Sequence, residues 1–148
     1  MSGPAPDTTV ILDQLGRLLR QLTRLTGGAD DDAPAMTASQ RIALVELGQD
    51  GPLRVNDLGH RMGASAPTAS RAVDALESLG LATRTPDPDD RRAVSVELSP
   101  AGRKLFDDRL ARAARAFEPA IGALAAAERR ELLALLERMT DALRAAGS

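Results

Sequence analysis

From Thr8 to Thr26 the apolar residues Ile11, Leu15, Leu18, Leu22 and Leu25 step by four, three, four and three, the seam of an amphipathic helix. Such a seam packs either in the chain's own core or against a second subunit. Gly27-Gly28 ends the run, and Asp30 to Pro34 reads as a polar loop. Thr37 and Gln40 have capping-box spacing and open a short helix whose apolar residues are Ile42, Val45 and Leu47, stopping before Gly51-Pro52. Leu53 to Val55 is a candidate short strand. Val55, Leu58 and Met62 then share a helical face, with Asn56 expected to cap a slightly later start because Arg54 lacks a capping oxygen. Beyond Gly63-Ala64, Ser65 is a good N-cap. Ala69, Val73, Leu76 and Leu79 make one apolar face of the helix it opens, and Pro67, Thr68, Ser70, Arg71, Asp74 and Ser78 point elsewhere. A helix, a tight Gly-containing turn and a second helix form a helix-turn-helix unit.

Gly80 stands where a helix C′ residue belongs, and two strands follow, Leu81 to Thr85 and Ala93 to Leu98. In the second strand Val94, Val96 and Leu98 are expected on one face and Ala93, Ser95 and Glu97 on the other. The PDPDDRR stretch between them favours a turn, so the hairpin carries Arg91 and Arg92 outward beside Asp87, Asp89 and Asp90. Ser99-Pro100 is a helix start, and the helix runs through Leu105, Leu110 and Phe117 to Pro119, which is expected to kink or end it. A last helix from about Ala126 carries Leu132, Leu133, Leu135, Leu136, Met139 and Leu143. The expected fold is mainly α with a small β-hairpin wing, a winged helix-turn-helix flanked by long terminal helices. Those terminal helices hold more leucine surface than the small lobe can cover. The seam of the first helix therefore reads as dimerisation surface (Leu15, Leu18, Leu22), together with Leu132, Leu136, Met139 and Leu143 of the last. The expected division is 1–36 and 100–148 for dimerisation, with 37–99 as the winged-helix lobe.

Composition narrows the chemistry. Hydrophobic residues make up 43% of the 148, but aromatics only 1%, so the core is built from Leu, Ala, Val and Ile. With no Cys there is no disulfide, thiolate metal site or thiol switch. His60 is the single histidine, and Asp57 with His60 supplies two ligands where a metal needs more, so neither metal nor cofactor is expected. No nucleophile and base are arranged for catalysis, and an enzyme is not expected. The longest apolar run, Ala120 to Ala127, falls short of the ~20 residues that span a bilayer, and MSGPAPDTT has no basic n-region, so a soluble cytoplasmic protein is expected. A net charge of -2 and a pI near 5.4 weigh against nucleic-acid binding. Even from Arg54 to Arg92 the charges balance. Affinity, however, follows where charges sit.

The segment DRRAVSVELSPAG, Asp90 to Gly102, resembles the wing signature of the multiple-antibiotic-resistance regulator (MarR) family: Asp-X-Arg, a hydrophobic strand, Leu-Ser/Thr, then Gly. The order of elements is also similar, so the resemblance covers nearly the whole chain. It implies a homodimeric DNA-binding transcriptional regulator, most often a repressor, on a pseudo-palindromic double-stranded operator. It also implies a small-molecule effector, often phenolic or an aromatic acid, of unknown identity here.

On that reading the N-terminal half of the helix over 65–79 enters the major groove. Ser65 and Thr68 suit phosphate, Ser70 a phosphate or a base edge, and Arg71 the O6/N7 edge of guanine, unless it is a surface arginine paired with Asp74 or Glu77. Arg54, where family members often carry Thr or Ser, reaches a phosphate or stays solvated, and Arg91 meets phosphate. The resemblance implies that Arg92 enters the minor groove while Asp90 helps hold it; Asp87 and Asp89 read as solvated loop charges. The competing class is a helical protein-interaction module whose winged helix binds a protein partner, and the salt dependence of binding separates the two.

Overall fold

The structure is a computed structural model that describes residues 7–26, 34–87, 89–90 and 92–146. Arg91, Gly27-Gly28 and most of the acidic loop before Pro34 lie outside the described residues, as does the side chain of Leu25. In chain order the elements are α1 (Thr8–Thr26), α2 (Ala38–Asp50), β1 (Leu53–Arg54), α3 (Val55–Met62), α4 (Ala66–Ser78), β2 (Ala82–Pro86), β3 (Val94–Leu98), α5 (Pro100–Gly122) and α6 (Ala126–Ala146). They divide into two compact units, one of 1–28 with 112–148 and the other of 29–111. No helix among the described residues is long and apolar enough to cross a membrane.

In the 29–111 unit, local chemistry starts each element. Thr37 Oγ1 accepts from Gln40 N at 3.3 Å while Gln40 Oε1 accepts from Thr37 N at 2.9 Å, the capping box at the start of α2. The face α2 buries is Ala43, Leu44 and Leu47, whereas Ile42 and Val45, expected to pack, are exposed. α3 also departs from expectation. It starts at Val55, so Arg54 and not Asn56 is its N-cap, and no side chain caps it. It ends at Gly63, whose φ of 62° is the left-handed conformation that glycine adopts without a Cβ penalty. Within α3, Gly59 lies close to Ala64 O of that turn and to the Ala69 side chain, small residues that let α3 and α4 cross closely.

α4 buries Ala69, Ala72, Val73 and Leu76. Leu79, expected on that face, is instead the C-cap residue and is exposed; Gly80 turns the chain and Leu81 takes the core position. The sheet order is β1-β3-β2, antiparallel throughout, with Leu53 opposite Val96, Ala82 opposite Leu98 and Pro86 opposite Val94. Leu44, Leu47, Leu58, Val73, Leu76 and Val96 are the largest fully buried side chains, each contributing about 1.5–3 kcal/mol. They tie the helix-turn-helix to the sheet.

The alternation expected in β3 fails at two places. Ser95 is buried and Val94 is 47% exposed. β1 ends where Arg54 pairs with Ser95, so Val94 lies past the last residue of that neighbour, while Ser95 sits in the middle strand of the sheet.

The start of α5 is fixed against this unit. Ser99 Oγ donates to Gly80 O at 2.6 Å and accepts from Gly102 N at 3.1 Å, so the expected N-cap is present. Gly102 lies so near β2 that a Cβ there would sit 1.9 Å from Leu81 O. Phe106 packs on Gly48, and Arg103 stacks over its ring at 5.5 Å while donating to Gly48 O at 2.7 Å. α5 continues through Pro119 to Gly122, so the proline does not end it.

In the unit of 1–28 and 112–148, α1 and α6 leave most of their described apolar residues exposed. On α1, Val10, Ile11, Leu12, Leu18 and Leu19 are exposed and Leu15 and Leu22 half-buried. Along α6, Leu132, Leu133, Leu135, Leu136, Met139 and Leu143 are all exposed, Leu143 at 72%.

Candidate nucleic-acid interface

The exposed ridge of α4 begins at its cap. Ser65 is extended (φ -68°, ψ 153°), its Oγ accepts from Thr68 N at 3.3 Å, and the two hydroxyls lie 2.9 Å apart. Pro67 in the first turn lacks an N–H that would go unsatisfied there, which favours a helix start. Thr68 and Ser70 are half-buried, and Ser65, Pro67 and Arg71 are exposed. Hydroxyls and the positive end of the helix thus lie together with one arginine, a constellation suited to a phosphodiester backbone.

Arg71 makes no hydrogen bond or ion pair among the described residues. The carboxylates expected to compete for it are occupied by a residue of the wing. Arg84 of β2 donates through Nη2 to Asp74 Oδ1 at 2.7 Å and through Nη1 to Glu77 Oε2.

The wing is organised by Asp87. It is 7% exposed, and its Oδ2 accepts from Arg54 Nε at 2.8 Å and from Ser95 Oγ at 2.9 Å. Its Oδ1 accepts from the backbone N–H groups of Asp89 at 2.9 Å and Asp90 at 3.1 Å. The Arg54 hydrogen bond, then the Ser95 hydroxyl and the two amides, hold the Asp87 carboxyl well below the usual carboxylate range despite its burial. The same contact raises Arg54 above its ordinary value. Asp87 is therefore not the solvated loop charge expected from sequence. Its Asp-Pro-Asp-Asp context does carry the signal of a side chain that closes its own turn; its partner, 33 residues earlier, has no local signal.

Asp90 acts at shorter range, its Oδ1 accepting from Arg92 N at 3.0 Å. The Arg92 side chain is exposed and makes no ion pair among the described residues. Arg54 keeps 45% of its side chain exposed, so the guanidinium that braces the wing also faces outward. Arg84, Asp87 and Ser95 are the site residues that sequence reasoning missed.

A capped helix with a free arginine on its outer ridge, preceded by a tight turn and followed by a braced hairpin, defines a winged helix-turn-helix of the DNA-binding class. The MarR family model matches residues 36–94. The HTH-type transcriptional repressor NicR of Pseudomonas putida is 33% identical over 150 residues, covering 99% of this chain and 95% of the relative. A probable transcriptional regulator from Pseudomonas aeruginosa, solved as a crystal structure, is 37% identical, with a TM-score of 0.54 over 87% of this chain and 98% of that one. BpsR of Bordetella bronchiseptica, whose DNA binding is regulated by 6-hydroxynicotinic acid, is 27% identical with a TM-score of 0.65, covering 94% and 99%.

The chain belongs to the MarR family. It is a DNA-binding transcriptional regulator, and the protein-interaction module finds no support among these relatives.

Proposed function

We propose that the protein is a ligand-responsive repressor that binds a pseudo-palindromic operator as a homodimer. The observation that carries this reading is Arg71, exposed on the outer ridge of α4 with its neighbouring carboxylates engaged elsewhere. Arg71 reads guanine, Ser65 and Thr68 hold phosphate at the helix N-terminus, and Ser70 lies beside them on the groove. Arg92 enters the minor groove, and Arg91 and the outward part of Arg54 meet the backbone. The terminal regions, 1–36 and 100–148, join two copies, with Leu15, Leu18, Leu22, Leu132, Leu136, Met139 and Leu143 at the seam. The 37–99 lobes then present two α4 helices about 34 Å apart, one helical turn of DNA.

Fluorescence anisotropy on a labelled duplex selected by the protein from a randomised library tests the reading. Arg71→Ala and Arg92→Ala are each expected to weaken specific binding about tenfold, within the ~1–3 kcal/mol of a good base contact, and affinity is expected to fall linearly with salt on a log-log plot. Binding that ignores both substitutions overturns the residue assignment; a flat salt response overturns phosphate binding.

For the effector, the BpsR precedent points to small hydroxylated aromatic acids, with 6-hydroxynicotinic acid the first compound to try. Such an effector raises the melting temperature and lowers DNA affinity together, because coupling is reciprocal. A compound that stabilises the protein and leaves DNA affinity unchanged counts against the switch.

A further inference from the structure

Arg84 of the wing strand β2 reaches back to the outer side of α4. Arg84 is 30% exposed at its side chain and holds both Asp74 and Glu77 of α4. Asp74 lies three residues after Arg71, hence on the same side of the helix and within reach of it; Glu77, six residues on, falls on another side. An Asp74 carboxylate with no other partner would pair with Arg71 and would also set a negative charge against the approaching phosphates. The carboxylate is 60% exposed at its side chain, so burial does not hide it; among the described residues Arg84 alone engages it.

We propose that Arg84 is a specificity-determining positioning residue, which sequesters Asp74 so that Arg71 stays available to read the operator. It acts through Arg71 and need not touch DNA itself. The proposal rests on the assignment of Arg71 to DNA made above.

Anisotropy with the selected duplex and with a version altered at its guanines tests the proposal in four full-length variants: Arg71→Ala, Arg84→Ala, Asp74→Asn, and Arg84→Ala with Asp74→Asn. Arg84→Ala is expected to weaken operator binding about two- to fivefold, the range of an exposed charge pair, and to narrow the preference for the intact duplex. Asp74→Asn in the Arg84→Ala background is expected to restore both. A wing merely propped on α4 by Arg84 predicts the opposite, since the double variant still lacks the prop. Unchanged binding in Arg84→Ala, or no rescue in the double variant, overturns the proposal while leaving Arg71 as a reader. Unchanged binding in Arg71→Ala overturns the assignment beneath it, and the proposal with it.

Discussion

Asp87 shows what a single carboxylate can do when four donors converge on it: Arg54, Ser95 and the amides of Asp89 and Asp90. Its depressed acidity links to stability with a definite sign. A carboxyl that ionises more easily folded than unfolded stabilises the fold in full above the unfolded value of about 4, and that contribution disappears as pH falls below it. Asp87→Asn is therefore expected to lower the unfolding midpoint at pH 7 and to flatten its decline toward pH 3, measured by urea titration at both pH values. A wild-type-like acid limb in the variant would show that Asp87 contributes nothing to it. The residue scale is also where the sequence was least legible. Ser65, Thr37 and Ser99 disclosed their caps because a cap bonds three residues away. Arg54–Asp87 joins residues brought together by the sheet and Arg84–Asp74 a strand to a helix, and nothing in their neighbours marks either pairing.

Elements were read well where a local signal started or stopped them. α1 occupies the predicted span, α4 begins after the predicted cap, and the hairpin strands fall within a residue of expectation. Which side of an element faces inward was harder to see. α2 buries Ala43 and Leu44 and leaves Ile42 and Val45 out, because the choice depends on α3 and α4, which periodicity within α2 cannot sense. β3 hides a serine because a carboxylate waits for it. Pro119 breaks no helix here; it removes one backbone donor, and α5 goes on for another turn. The junction of α5 with β2 yields the sharpest expectation at this scale. Gly102→Ala puts a methyl group into Leu81 O, so α5 must move off the sheet, at a cost of about 1–3 kcal/mol as in other overpacked sites. A urea midpoint equal to wild type would mean that the junction yields freely.

Across the whole molecule, a net charge of -2 looked unsuited to DNA until the carboxylates were placed. Asp50, Asp74, Glu77 and Asp87 are engaged by Arg61, Arg84 and Arg54, and Arg71 and Arg92 are exposed without ion pairs among the described residues. Cations without a paired carboxylate thus occur in an acidic chain, which composition cannot reveal because it counts charges without pairing them. The same blindness affects the leucines: their spacing on α1 and α6 was legible, but only the folded chain shows that Leu18 and the leucines of α6 stay exposed while Leu15 and Leu22 are half-buried. Exposed apolar surface of this kind is what the proposed dimer would cover. Leu136→Glu with Leu143→Glu is expected to turn a dimer into a monomer in sedimentation velocity without loss of helical circular dichroism. Operator affinity should fall with it, since one copy grips one half-site. A monomeric wild type would remove the seam from the dimer account.

The bond from Arg84 to Asp74 and Glu77 also bears on how such regulators diverge. A recognition helix is often imagined as an exchangeable cassette, moved between proteins to redirect their targets. In this chain the helix and the wing strand share a charge ledger, with partners ten and seven residues apart, so a transplanted helix would arrive without its counterion. Drift at position 74 is then answerable at position 84, and the unit of inheritance is the helix together with its strand.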